Sequence, residues 1–194
     1  MAHFILQFEK EMVSLSNAPY RGGLTRARGF FFMQVDKNYN GNYKEDCKRF
    51  EEEHGLDNFV GFMTAVNIDK VLAHEKVRDV EAYITAGITN PAIAGDEHEP
   101  IPNPGTINIA IVIKDGLTIG AMANAIMTAT EAKTYTLMEL GYKATGTTSD
   151  GIGIFAYEGD IEWAGTATKI GIAIGKAVRR ALKESIKRWE KIRP

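Results

Sequence analysis

The stretch Thr106–Lys114 places the strongest constraint on the fold, because its sequence Thr-Ile-Asn-Ile-Ala-Ile-Val-Ile-Lys becomes continuously apolar towards its end. Such a run is typical of a strand that is covered on both faces of its sheet. A helix is predicted directly after it, since Thr118 can cap a helix that runs to about Leu140 and Gly141 can end it. The chain is therefore expected to combine a buried sheet with covering helices.

The rest of the chain supplies further strands first and a second long helix last. Its patterns predict strands at Phe4–Phe8, Met12–Leu15, Gly29–Val35, Phe59–Val66, Val80–Ile88 and Gly151–Tyr157, and helices at Lys44–His54 and Thr168–Ile192. Residues 67–79 are ambiguous and leave room for a short helix. This order indicates an α+β fold. We expect a single domain over residues 1–194, with a mixed β-sheet covered by two long C-terminal helices and shorter helices.

Charge and composition exclude several classes of protein. The formal net charge is −2, whereas nucleic-acid-binding domains usually carry a strong basic excess. Residues 1–10 do not resemble a signal peptide, and no apolar run approaches the roughly 18 residues that cross a bilayer. We therefore expect a cytoplasmic protein without nucleic-acid or membrane partners. The oligomeric state stays open, with a homo-oligomer among the alternatives.

The single cysteine, Cys47, excludes an intramolecular disulfide. Its neighbours are charged, from Lys44 to Arg49, which indicates a helix or loop rather than a catalytic pocket.

The longest irregular segment runs from Asn90 to Gly105. Its three prolines, Pro100, Pro102 and Pro104, exclude both a helix and a central strand. Because the segment joins two strands that are predicted to be buried, we expect it to be functional.

The helix predicted at 118–140 carries polar residues on its packed stripe. That stripe consists of Ile119, Met122, Ile126, Leu137 and Leu140 at helical spacing. Thr130 and Lys133 fall within it, and a buried lysine needs a partner because an isolated ammonium is costly to desolvate. Glu131 lies on the flank. Alternatively, Lys133 extends past the core and Glu131 faces water.

A threonine-rich block, Ala144–Gly151, follows this helix and ends with the carboxylate of Asp150. Hydroxyls, glycines and backbone N–H groups in a tight loop can hold an anion or stabilise an oxyanion, although a plain turn has the same composition. Two asparagines are further candidates. Asn90 precedes a proline at the end of a strand, and Asn108 is a polar residue in an apolar strand that needs partners if it is buried.

Several catalytic and binding motifs are missing. The segment Gly171–Lys176 ends like a phosphate loop, but its glycines are too close together and Ala177 replaces the required Ser or Thr. No Gly-x-Ser-x-Gly elbow is present, and the histidines lack the spacing of metal ligands. We therefore predict neither a metal nor another cofactor.

Eight segments form a pattern that is specific in its order and spacing: Leu15–Leu24, Thr64-Ala65, Thr85–Pro91, Ala94-Gly95, Gly105–Asn108, Ala129–Lys133, Ala144–Thr147 with Asp150, and Ala164–Thr166. Through them the chain resembles the adenosylcobinamide amidohydrolase family over nearly its whole length. Two departures stand out. Thr148 and Ser149 fill part of a loop in which the family commonly alternates Gly and Thr. Ala167 stands where members often carry a histidine, which implies slower turnover or a variant substrate if that histidine takes part in catalysis.

The resemblance implies a corrinoid substrate. The expected reaction is hydrolysis of the amide between the corrin propionyl arm and aminopropanol, giving adenosylcobyric acid for coenzyme B12 salvage. We expect Asp150 or Glu131 to activate water, and Lys133, Asn108 and the amides of residues 145–147 to stabilise the oxyanion. Substrate contacts are expected from Asn90, Thr106, Asn108, Thr130, Thr145, Gly146, Thr147 and Thr166.

Three alternatives stay open at this stage. A threonine nucleophile, as in self-cleaving amidases, would require the chain to be cut in two. A carrier or sensor would bind the corrinoid without hydrolysing it. Phosphate or nucleotide handling by the Gly/Thr loop lacks a proper phosphate motif.

Overall fold

A computed structural model describes residues 2–97 and 105–193. Its strands are β1 (His3–Ser16), β2 (Gly23–Gln34), β3 (Phe59–Thr64), β4 (Ala73–Val77), β5 (Val80–Ala86), β6 (Pro91–Ala92), β7 (Ile107–Leu117), β8 (Gly146–Thr147) and β9 (Gly151–Glu158). Its helices are α1 (Tyr43–Glu53), α2 (Ile68–Val71), α3 (Ile119–Glu139) and α4 (Lys169–Glu190). No described helix is long and apolar enough to span a membrane.

Seven of the strands form one sheet in the order β3-β2-β1-β9-β7-β5-β4. The pairs β2/β3 and β7/β9 are parallel and the other pairs are antiparallel. The predicted α+β fold, with a mixed sheet and two long C-terminal helices, is thus confirmed. The two segments predicted at Phe4–Phe8 and Met12–Leu15 form one strand, whose pairing is irregular between Gln7 and Met12.

The central strands are buried on both faces, as the apolar run in β7 predicted. Ile109, Ile111 and Ile113 belong to the core beneath α3 and α4. Ala110 and Val112, which alternate with them, belong to a second core that contains phenylalanines of β2 and β3. The β2–β3 half of the sheet therefore lies across the face of β7 and β9 that is opposite to the long helices.

Glycines in β9 permit this close approach. A Cβ added to Gly151 or Gly153 would lie 3.0 Å or 2.9 Å from the ring of Phe62 on β3. Helix α1 covers the outer side of β2 and β3, where Phe31 and Phe50 share a third core with Cys47. The result is a layered domain in which α1, the β2–β3 half, the central strands and the α3–α4 pair follow one another.

The structure corrects the expected packing of α3. Ile119 and Leu140 are exposed, and Ile126 is only partly buried. The buried face instead carries small residues, Ala121, Ala125, Ala129 and Ala132, together with Met122, Thr128, Lys133, Thr136 and Leu137. Alanines let α3 lie close to the sheet and α4, so the small side chains rather than the large ones define its inner face.

The structure adds several smaller elements that were left open or not predicted, and it shows how the two long helices begin and end. The ambiguous residues 67–79 contain α2 and the edge strand β4, and a small second sheet pairs β6 with β8. Thr118 caps α3 as predicted, Thr168 caps α4, and Gly141 follows α3 with a φ of 87° that favours glycine. Of the segment Asn90–Gly105, residues 98–104 and their three prolines lie outside the described residues.

Cys47 is fully buried in α1, away from any polar cavity, and burial raises the pKa of its thiol to about 12. We expect the native protein to react with a thiol reagent at neutral pH roughly 10²-fold or more slowly than the denatured chain, since only an accessible thiolate reacts. Absorbance of the released thiol-reagent product would measure both rates. Equal rates would show that Cys47 is accessible in the native state.

Candidate active site

A polar cavity of about 520 Å³ lies at the edge of the sheet where β7 and β9 begin. These strands are parallel, with Asn108 opposite Gly151, so their first residues meet at the same edge. Residues from five segments line the cavity: Asn17 and Pro19 after β1, the segment 35–43, Met63–Ala65, Thr106 and Asn108, and Thr148–Gly151. Other grooves bound by the described residues have fewer of the predicted site residues in their walls.

Asp150 is the best-connected carboxylate of this cavity. Its Oδ1 accepts hydrogen bonds from the backbone N–H of Ile107 at 3.1 Å and from the Thr147 hydroxyl at 2.5 Å. Its Oδ2 accepts from the Thr147 N–H at 3.1 Å and from the ammonium of Lys133. A carboxylate offers about four lone-pair sites, so these donors use all of them. Asp150 consequently holds β7, α3 and the threonine-rich loop together.

Lys133 reaches Asp150 from α3 and forms a buried ion pair with it. The two side chains are only 8% and 10% exposed, which fulfils the expectation that a buried lysine requires a partner. Lys133 does not line the cavity itself. Its contact with the cavity wall is the ion pair with Asp150.

The threonine-rich loop is anchored by its own hydrogen bonds. The Thr145 N–H donates to the carbonyl of Ala92, its hydroxyl contacts the same carbonyl at 3.3 Å, and Thr134 donates to the Thr145 carbonyl. The Thr147 N–H and hydroxyl both donate to Asp150. Because the N–H groups of Thr145 and Thr147 already have acceptors, the structure does not support the expectation that they stabilise an oxyanion.

Two sequence-predicted residues besides Asp150 line the cavity, Asn108 and Thr106. Asn108 is 2% exposed and donates one amide hydrogen to the Met63 carbonyl at 2.8 Å, while its second amide hydrogen has no acceptor among residues 2–97 and 105–193 and can serve a ligand. The Thr106 hydroxyl lies 2.8 Å from that of Ser149, which donates to the Gly105 carbonyl at 3.2 Å. Both residues remain predicted substrate contacts.

Other sequence-predicted residues lie elsewhere. Glu131 and Thr166 line a separate groove of about 360 Å³ between α3 and α4. Thr130 is exposed and donates its hydroxyl to the Ile126 carbonyl, so the expected place on the packed stripe is wrong. Asn90 is fully buried and donates to Thr148. The positions of these residues depend on the tilt of α3 and on the path of the loop after β5. Local spacing in the sequence does not predict either of them.

The opposite wall of the cavity contains Asn17, Tyr39 and Tyr43, which were not among the predicted site residues. Asn17 bridges β1 and β9, because its amide donates to the Asp150 carbonyl at 2.8 Å and accepts from the Ile152 N–H at 2.7 Å. Tyr39 and Tyr43 add aromatic surface. Burial, and then the hydrogen bond to Asp46, raises the pKa of the Tyr39 phenol, which keeps it protonated. The segment Asn38–Asn42, between a predicted strand and a predicted helix, was the feature of the sequence that could have indicated this wall of the cavity.

Among residues 2–97 and 105–193, no group of three or more His, Cys, Asp or Glu side chains is placed to hold a metal ion. The polar residues that line the cavity carry amides, hydroxyls and phenols, together with the carboxylates of Asp36 and Asp150 and the ammonium of Lys37.

An enclosed sheet with a polar cavity at one edge, built around a buried carboxylate, defines an enzyme-like domain for a small molecule. The profile of the family described as adenosylcobinamide amidohydrolase matches residues 1–194. An adenosylcobinamide amidohydrolase of Methanosarcina mazei is 34% identical over 179 residues, covering 85% of this chain and 86% of the relative.

Two further relatives agree in part. An uncharacterised protein of Methanocaldococcus jannaschii is 31% identical and covers 78% of this chain and 72% of its own length. An adenosylcobinamide amidohydrolase of Halobacterium salinarum is 32% identical over 117 residues, which is 55% of this chain and 50% of the relative. The chain belongs to the adenosylcobinamide amidohydrolase family. It is an amidohydrolase that acts on a non-peptide C–N bond, and this favours the enzyme over the carrier or sensor.

Proposed function

We propose that the enzyme hydrolyses the amide between the corrin propionyl arm and aminopropanol of adenosylcobinamide. The products would be adenosylcobyric acid and 1-amino-2-propanol, and the acid would return to coenzyme B12 assembly. The family match and the activity for which the relatives are named support this substrate.

One structural observation carries the location of the reaction. Four segments on which the family resemblance depends, although distant in sequence, supply walls of the same cavity: Leu15–Leu24, Thr64-Ala65, Gly105–Asn108 and the loop that ends at Asp150. A fifth, Ala129–Lys133, reaches the cavity from behind through the Lys133–Asp150 pair. The cavity also adjoins a second one of about 550 Å³, which shares Val35, Asp36 and Tyr39, so a ligand larger than either alone has room to extend.

Amide hydrolysis needs a donor for the carbonyl oxygen, an activated water and a proton for the departing amine. Asn108 would be the donor, because its second amide hydrogen is free and its surroundings are nearly dry. Of the two carboxylates that the sequence offered for water activation, Asp150 lines this cavity and Glu131 lines another groove.

Asp150 can accept a proton only after one of its donors turns away. The Thr147 hydroxyl is the contact that rotates most easily, since the other donors are two backbone N–H groups and a paired ammonium. Rotation of Thr147 would free Oδ1 for a water. The resulting carboxylic acid would then return the proton to the departing aminopropanol nitrogen, which leaves the carboxyl product and the free amine.

Purified protein incubated with adenosylcobinamide tests the proposal. We expect stoichiometric release of 1-amino-2-propanol and the matching corrinoid acid, both followed by mass spectrometry. Binding without release of either product would contradict the proposed reaction. Intact mass in the same samples checks the threonine-nucleophile alternative, which requires two chains in place of one species near 21.4 kDa.

Asn108→Ala is expected to lower kcat by about 10²–10³-fold, because removal of one oxyanion donor costs about that much. The measurement is steady-state release of aminopropanol. Asn124→Ala removes the same amide from a partly buried position of α3 outside the cavity and serves as the matched control. An Asn108 variant with unchanged kcat would show that this amide does not contact the reacting carbonyl.

A further inference from the structure

The fully buried amide of Asn90 has an unusual set of contacts. Its Nδ2 donates to the Thr148 hydroxyl oxygen at 2.5 Å, while its Oδ1 is buried and has no hydrogen-bond partner among the described residues. Substrate cannot reach a side chain that is 0% exposed. The effect of Asn90 on a ligand must therefore pass through Thr148.

Accepting this bond leaves the Thr148 hydroxyl with one free proton. Thr148 is an exposed residue of the cavity wall, so a ligand in the cavity can reach it. A hydroxyl is one donor with two acceptor lone pairs, so Asn90 occupies one lone pair and leaves the Thr148 proton free to donate towards the cavity.

Thr106, which also lines the cavity, has the opposite polarity. The Ser149 hydroxyl contacts both the Gly105 carbonyl, at 3.2 Å, and the Thr106 hydroxyl, at 2.8 Å. A carbonyl only accepts, and Ser149 has a single proton. Both contacts are satisfied when Ser149 donates to Gly105 and Thr106 donates to Ser149. The Thr106 oxygen has then used its only proton and presents lone pairs alone, so it acts as an acceptor.

We propose that Thr148 and Thr106 form a donor–acceptor pair that recognises an uncharged carboxamide of the substrate, and that Asn90 positions the Thr148 hydroxyl. A carboxamide offers a carbonyl to Thr148 and an N–H to Thr106. A carboxylate offers only acceptors and leaves Thr106 opposite a like group. This inference rests on the proposed corrinoid substrate and adds the residues that select it.

The pair contacts a part of the substrate that does not react. Thr148 and Ser149 are exposed and Thr106 is partly buried, whereas Asn108 is nearly dry. Reaction chemistry depends on the dry part, where hydrogen bonds to developing charge are strongest. Thr148 and Ser149 also depart from the Gly/Thr alternation that the family resemblance implies, so this contact would be a specificity feature of this chain.

Thr148→Val is expected to raise KM by roughly 3- to 10-fold with kcat unchanged, as for the loss of one neutral hydrogen bond made equally in ground and transition states. Thr148→Ser, which keeps the hydroxyl, restores KM. Thr25→Val, on a different face, changes neither constant. An unchanged KM, a loss confined to kcat, or no rescue by serine would overturn the proposal.

Asn90→Asp tests the positioning role with the Thr148 hydroxyl still present. The ionised carboxylate that this substitution introduces accepts the Thr148 proton and removes the donor from the cavity, so the same rise in KM is expected. A KM like that of wild type in a folded Asn90→Asp protein would refute the positioning role. If thermal unfolding shows that this variant does not fold, the Val and Ser variants of Thr148 decide the proposal.

A corrinoid whose peripheral carboxamides have been hydrolysed to carboxylates provides an independent readout. We expect wild type to bind it more weakly than cobinamide in absorbance titrations, and Thr106→Val, which removes the acceptor that a carboxylate cannot satisfy, to lose most of that preference. An equal preference in both proteins would refute the pair. The titration measures binding and needs no turnover, so it tests the donor–acceptor pair alone. The proposed reaction is tested separately, and it fails if wild type releases no aminopropanol.

Discussion

Replacing Asp150 by Asn is expected to destabilise the fold by about 3–5 kcal/mol, because the substitution leaves the Lys133 ammonium buried without its counter-charge. The new amide would also direct hydrogens towards groups that donate to Asp150. We expect turnover of adenosylcobinamide to fall by at least about 10²-fold in the same variant. Denaturant unfolding measures the first effect, and aminopropanol release well below the unfolding transition measures the second.

Asp57→Asn is the matched control for stability. Asp57 also pairs with a basic residue, Arg28, but its side chain is 79% exposed and that of Arg28 is 59% exposed. An exposed pair contributes about 0–1 kcal/mol, so this variant is expected to stay close to wild type. If both variants lost the same small amount, the Lys133–Asp150 pair would not be the structural centre that its burial indicates.

Gly146→Ala is the second change with a large expected effect. A Cβ at this position would overlap the Asp150 carboxylate and would lie 2.5 Å from the Lys133 ammonium. Neither group can move without breaking a buried hydrogen bond. The added methyl group would therefore push the two charged groups of the ion pair apart. We expect a loss of about 1–3 kcal/mol in the free energy of unfolding, as for overpacked cores, together with loss of turnover.

Gly175→Ala makes the same chemical change in α4, where an added Cβ meets nothing within 4 Å. Because alanine favours a helix interior over glycine by about 1 kcal/mol, this control is expected to be neutral or slightly stabilising. Thermal unfolding of the two variants side by side gives the comparison. A Gly146→Ala protein as stable and active as wild type would mean that the loop adjusts around the methyl group, and that the ion-pair geometry is not required.

These expectations assign a structural role to residues that looked catalytic in the sequence. Lys133 was expected to stabilise an oxyanion, yet it lies behind Asp150 and outside the cavity wall. Asp150 itself accepts hydrogen bonds at all of its lone-pair sites. The water activation that we propose for this carboxylate would therefore require one donor to leave, and Thr147 is the candidate.

Local sequence was enough to define most elements of the fold. The apolar run in β7 predicted burial on both faces, and Thr118 and Gly141 defined the ends of α3, because capping and periodicity depend on neighbouring residues alone. The inner face of α4 follows the same local periodicity, with Ile174, Val178, Leu182 and Trp189 all buried at helical spacing. The strand β4 was missed because its residues, Ala73–Val77, show no distinct pattern.

The threonine-rich block with Asp150, and the need of Lys133 for a buried partner, were visible in the sequence, since a charged side chain on an apolar face has few solutions. Only the tertiary structure decided that the partner is Asp150, that Glu131 and Thr166 lie in another groove, and that Asn90 donates to Thr148. These positions depend on the close packing of α3 through its alanines and on the way that β2 and β3 lie over β9. These long-range contacts set which side chains converge, and no local periodicity encodes them.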